Sequence, residues 1–163
     1  MSKAEVLIAG VLGVAFNKDN QVLLTKRYQP DNPEEHNKWQ LPGGALEFGE
    51  HPEDTLKREI GEELNSDARI IIPGPIIRSS TFQKQQPDGK VISYHRLMFA
   101  YIIDLANEDI NIGANHESSA FTWVPLDALK RLPTLPQVPG IITEALERLN
   151  NSLNLPNRSI TGG

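Results

Sequence analysis

From residue 41 to residue 66 the chain runs LPGGALEFGEHPEDTLKREIGEELNS, a glycine loop feeding one acidic helix. Gly43 and Gly44 permit backbone conformations that a Cβ would forbid, and Gly49 lets the chain turn again before Pro52, a favoured first residue of a helix. The pattern predicts a helix over residues 52–64. At about 100° per residue, Leu56, Ile60 and Leu64 form one apolar stripe, while Glu59, Glu62 and Glu63 fall in a neighbouring arc of roughly 100°. One face docks, and the face beside it concentrates negative charge.

Like charges one turn apart destabilise a helix by about a few tenths of a kcal/mol per pair unless something neutralises them. A solvated acidic face is one reading of this arc. A hard divalent cation is the other, because Mg²⁺ takes one or two carboxylates and completes its shell with waters and substrate phosphates. Gly61 sits inside the helix at a cost of about 1 kcal/mol relative to alanine, so another segment is expected to approach it closely.

The whole spacing narrows the choice. Gly44, five residues, Glu50, seven residues, then Arg58-Glu59-Ile60, one residue, and Glu62-Glu63 resembles the Nudix box, the signature of MutT-like hydrolases acting on a nucleoside diphosphate linked to another group. The preceding Trp39-Gln40-Leu41-Pro42-Gly43 also looks like that family's approach to its box. Two positions depart from the family pattern, which has glycine and then an aliphatic residue where this chain has Asn65 and Ser66. Asparagine tolerates the left-handed conformation of a helix C-cap, whereas Ser66 forgoes an apolar anchor.

The resemblance implies the Nudix α/β/α sandwich, an α/β fold with a mixed sheet between helices. It implies Glu59 and Glu63 as principal Mg²⁺ ligands, with Glu62 and the Gly43 carbonyl completing the shell and Mn²⁺ able to substitute. Glu50 would hold metal-bound water or orient the shell, and Arg58 would fix the carboxylates by ion pairing. Glu117, six residues before Trp123, resembles the family's loop glutamate outside the box and is the expected general base, with Glu62 as the alternative. Arg27 is expected to meet substrate phosphate. Gln137, before the last helix, stands where related triphosphate-cleaving members place an amide or acid against a purine.

The family's NADH-specific downstream motif is not visible, nor are the Pro or Tyr that mark its ADP-ribose and dinucleoside polyphosphate enzymes at their usual spacing after Ser66. A nucleoside triphosphate is therefore the expected substrate, with nucleotide sugars, ADP-ribose or dinucleotides as alternatives. A non-catalytic Nudix-fold binding module would be expected to have lost box glutamates, and all are present. An isoprenoid isomerase on this fold would be expected to use a cysteine, and the chain has none.

Composition sets the remaining bounds. The chain's 163 residues suffice for one well-filled core, so a single domain over residues 1–152 is expected, followed by a loose tail over 153–163. A formal charge of −5 argues against a nucleic-acid polymer as partner, which needs a basic stripe. It leaves room for a nucleotide as small-molecule substrate, because a bound metal inverts the local charge. The absence of cysteine removes disulfides, thiolate nucleophiles and cysteine zinc sites, and is compatible with a cytoplasmic protein. A homodimer is compatible with the same composition.

Residues 6–16 mimic a signal peptide, but Glu5 interrupts the would-be basic region and the run is too short to span a membrane. They read as a buried strand paired with a second over 21–28, and no membrane partner is expected. Further strands are expected over 68–72, 75–85 and 91–105, and helices over 126–132 and 140–150. Alternation along 91–105 sends His95 and Arg96 to opposite faces.

Overall fold

The computed structural model describes residues 4–106, 109–113 and 117–154. Turn chemistry over residues 86–90 builds its central hairpin. Gly89 takes φ +84°, the Gln86 N–H donates to the Lys90 carbonyl at 2.7 Å, and Asp88 accepts from the Lys90 N–H. Strand β6 (Ile76–Gln85) thereby folds back antiparallel onto β7 (Val91–Leu105). The other edge of β7 pairs in parallel with β1 (Ala4–Ala15), and β1 pairs antiparallel with β4 (Gly43–Ala45). β5 (Ala68–Ile70) extends the β6 side of β7, completing a five-stranded mixed sheet.

A second, antiparallel sheet of three strands has β2 (Gln21–Arg27) between β3 (Trp39–Gln40) and β8 (Ser118–Pro125). Helix α1 (Pro52–Leu64) lies on one side and α2 (Val138–Asn154) on the other. The second half of β1 has apolar residues on both faces because both are covered there, whereas Val6 and Leu7, expected to lie in a buried strand, are exposed. Val11 and Ala15 join the Leu56, Ile60 and Leu64 stripe of α1, while Val14 joins Ile141, Ile142 and Ala145 of α2. This is the α/β/α sandwich expected from the sequence, with a mixed sheet between helices.

Three expectations are corrected. β1 and β2 do not form a paired hairpin: only Phe16 and Val22 bridge them, after which β2 departs into the second sheet. Among the described residues nothing approaches Gly61 closely; a Cβ there would meet nothing of them nearer than the Ser66 carbonyl at 3.9 Å. Helix α2 continues through Leu153 and Asn154, where the loose tail was expected to start, and residues 155–163 lie outside the described residues. The Asn65 expectation holds, since it adopts φ 52°, ψ 42° and donates its N–H to the Gly61 carbonyl, closing the helix.

Candidate active site

Helix α1 is anchored at both ends before any chemistry is considered. His51 Nδ1 accepts from the Glu53 N–H, Pro52 occupies the first turn, and Glu53 and Asp54 meet the positive end of the helix dipole. Leu56, Ile60 and Leu64 are fully buried, each contributing about 1.5–3 kcal/mol from removal of apolar surface. That docking forces the neighbouring face inward. Glu59 is 6% and Glu63 1% exposed, whereas the Glu62 side chain keeps about half its surface in water.

Glu63 is the most enclosed carboxyl of this face. One oxygen accepts the Gly43 N–H at 2.9 Å and the other accepts the Ser118 hydroxyl. The Thr25 hydroxyl is buried beside it, close enough to favour the charged form but without hydrogen-bond geometry to any described atom. Burial still outweighs these donors and pushes the Glu63 carboxyl above the ordinary glutamate range, and the nearby Glu117 charge adds to the rise. Glu59 is likewise raised, first by burial and then by the charges of Glu117 and Glu62, against the opposing pull of Arg58.

Arg58 is shared among the remaining carboxylates. It reaches Glu50 and Glu59 at 2.8 Å and Glu62 at 3.4 Å, with Glu47 more distant at 3.8 Å. Glu50, bonded also by the Thr55 hydroxyl at 2.7 Å, has its carboxyl held down to about 2, chiefly by Arg58 and then by Thr55. Two glycines let the loop meet the helix. Gly43 takes φ +145°, where a Cβ would lie 2.0 Å from the Val11 carbonyl. Gly44 has no such backbone requirement, but a Cβ there would sit 2.3–2.5 Å from the Glu59 carboxyl atoms.

The other predicted positions are dispersed around this cluster. Glu117 immediately precedes β8, its carbonyl accepting the Tyr28 N–H, and its charge reaches both Glu59 and Glu63. Arg27 faces Ser118 across the β2–β8 ladder and donates to the side chains of Gln29 and Gln40. Gln137 accepts the Ile141 N–H at the start of α2 through its carbonyl. Ser118 and Thr25 were missed from the sequence. Their only signal was a small hydroxyl residue on an otherwise apolar strand, or beside the expected loop glutamate.

Among the described residues no three carboxylate or imidazole groups converge into a ready-made metal cage. The donor set nevertheless fits Mg²⁺. It is entirely oxygen, it contains two desolvated carboxyls that lack a full counter-charge, and a buried hydroxyl beside one of them is unused. Mg²⁺ needs only one or two carboxylates from the protein, so a closed cage is not required.

The comparisons agree with the fold and with the box. A family model described as NUDIX domain matches residues 6–146. The chain is 33% identical over 93 residues to the nucleoside triphosphatase NudI of Klebsiella pneumoniae (strain 342), covering 56% of this chain and 64% of that protein. The match thus spans less than two thirds of that relative's length. The solution structure of the E. coli ORF135 protein superposes with a TM-score of 0.62 at 20% identity, covering 92% of this chain and 95% of that one. The NUDIX domain of Shewanella oneidensis NrtR, in complex with ADP ribose, gives a TM-score of 0.55 at 22% identity, covering 91% and 90%. Among the described residues no helix is long and apolar enough to cross a membrane.

Proposed function

The chain belongs to the Nudix family, and on that footing we propose that it hydrolyses a phosphoanhydride bond in a nucleoside diphosphate-linked substrate with Mg²⁺, Mn²⁺ being a substitute. The preferred substrate is a nucleoside triphosphate, giving monophosphate and pyrophosphate. The observation that carries the reading is the pair of buried glutamates, Glu59 and Glu63, desolvated on a glycine loop with one arginine shared among their neighbours. Similarity to a nucleoside triphosphatase supports the substrate class.

Glu59 and Glu63 would hold the metal, with Glu62 and the Gly43 carbonyl contributing. Bound there, the cation would offset phosphate charge and acidify a coordinated water. The Gly43 N–H and the Ser118 hydroxyl fix the Glu63 carboxyl, so that it meets its ligand without first being ordered. Arg58 sets the orientation of Glu59 and Glu50. The Glu117 carboxylate would accept the proton of the attacking water, Glu62 being the other candidate. Arg27 would grip phosphate oxygens, and Gln137 would read a purine edge through one donor and one acceptor.

A panel of nucleoside triphosphates, nucleotide sugars, ADP-ribose and dinucleotides, assayed with Mg²⁺ and with EDTA, tests the proposal. Hydrolysis of a triphosphate that stops in EDTA and returns with Mg²⁺ or Mn²⁺ is expected; undiminished turnover without metal, or none on any member, overturns it. Glu117→Gln should lower kcat by about 10²-fold or more with KM nearly kept, as loss of a general base requires. An unchanged rate and pH profile would remove Glu117 from the chemistry.

A further inference from the structure

Beside the acidic cluster, two arginines from different sheets converge on one loop carboxylate. Arg27 ends β2 in the three-stranded sheet, and Arg96 lies on β7 in the five-stranded sheet. Glu35, in the loop between β2 and β3, places Oε2 3.2 Å from Arg27 Nε and Oε1 3.8 Å from an Arg96 terminal nitrogen. All three side chains are partly enclosed, at 23–31% exposure. Two guanidiniums against one carboxylate leave an excess of one positive charge.

Each arginine is supported independently of Glu35. Arg27 donates to Gln29 Oε1 at 2.7 and 2.9 Å and to Gln40 Oε1 at 3.1 Å. The Arg96 guanidinium lies over the Phe82 ring at 4.7 Å, and that ring stacks on Tyr94 with centroids 5.1 Å apart. The guanidiniums are thus held in place by neutral partners, while the anion between them comes from a loop carrying Pro30 and Pro33. The pair also adjoins the acidic cluster, because Arg27 is in register with Ser118, whose hydroxyl binds Glu63.

We propose that Arg27 and Arg96 form a two-arginine subsite for a substrate phosphate, and that the Glu35 carboxylate occupies it in the free protein and must leave for the phosphate to enter. This rests on the hydrolase reading only for the identity of the ligand. A phosphate presents two oxygens to two guanidiniums, as the two oxygens of Glu35 do, and carries more charge. Glu35 then acts as a latch that lowers affinity by competing from within the chain. It also ties the loop across both sheets until an anion releases it.

The test uses inorganic pyrophosphate as probe, titrated calorimetrically into the full chain in EDTA, so that neither metal nor turnover enters. Glu35→Gln keeps the side chain's size and should bind pyrophosphate at least about fivefold more tightly than the wild type. Adding Arg96→Ala should cancel that gain, and Arg96→Lys, which keeps the charge and guards against a folding defect, should retain part of it. Equal or weaker binding by Glu35→Gln would show the carboxylate to be a structural tie and overturn the latch. Binding undiminished by Arg96→Ala would remove Arg96 from the subsite. If pyrophosphate follows this pattern while no nucleotide is hydrolysed, the subsite stands and the hydrolase reading fails; the reverse result separates them the other way.

Discussion

Glu144 on α2 and Glu63 on α1 both lie beside the apolar stripe of a docked helix, and their surroundings are opposite. Glu144 is met at 2.8 Å by Arg78 from β6 and at 2.8 Å by Arg148 one turn along its own helix. The two arginines hold its carboxyl below the ordinary range. Among the described residues Glu63 has only neutral donors, a backbone N–H and a hydroxyl, and burial pushes its carboxyl up. A carboxylate that serves the fold is neutralised within the fold. One left desolvated and short of positive charge costs stability, and the cation proposed above would offset that cost.

The sharpest way to break this contrast is to neutralise Glu63 without changing its shape. Glu63→Gln should lower kcat by about 10³-fold or more, since it removes a ligand charge, and a loss of tenfold or less would place Glu63 among the merely structural groups. A second variant separates position from charge. In Gly44→Ala the atoms nearest the new Cβ are those of the Glu59 carboxyl, the far end of a flexible side chain, so the melting temperature should change by no more than about 3 °C. The displaced carboxyl should nevertheless cost about 10- to 100-fold in kcat. A large loss of stability with normal turnover would reverse the reading.

The smallest effect concerns pH. Glu144 has a folded-state pKa below the ordinary value of 4.5, so its contribution is present above that value and is lost as pH falls through the folded pKa. Glu63 is raised, so its folded form carries no penalty below 4.5 and loses stability as pH rises from there through the folded pKa. In EDTA at neutral pH, Glu144→Gln should therefore melt about 1–4 °C lower than wild type, an exposed-pair effect of about 0.5–1 kcal/mol. Glu63→Gln should melt higher than wild type under the same conditions, and both differences should shrink towards pH 4. Melting curves of the three proteins across that range decide it.

The sequence made one half of the site legible and hid the other for a physical reason. Residues 41–66 carry loop, cap, apolar stripe and carboxylates in one contiguous run, where helical periodicity alone fixes which groups share a face. Ser118, Thr25 and Gln40 reach the same place through strand pairings, and no local pattern encodes which strand will be neighbour to which. The expected pairing of β1 with β2 failed on that point. Both strands are apolar and joined by a polar turn, which is compatible with a hairpin and equally with a chain that changes sheets. Gly61 was misread because an exposed helical glycine and a closely packed one look alike in sequence. His95 and Arg96 did separate as alternation requires, one bonded to Ser79 and the other over Phe82, yet nothing local pointed Arg96 at Glu35.

The parallel pairing of β1 with β7 bears on how the chain is made. Their register runs unbroken from Ala4 opposite Ile92 to Ala15 opposite Ile103, so every rung joins residues 88 positions apart. High contact order of this kind places folding in the slower, millisecond-to-second range rather than among helical bundles. On the ribosome, the first strand and the whole of α1 emerge well before the strand that completes their platform, and at about 5–20 residues per second the interval lasts seconds. During that time the apolar faces of β1 and α1 lack most of their final cover, and the nascent chain is most exposed to aggregation before β7 arrives.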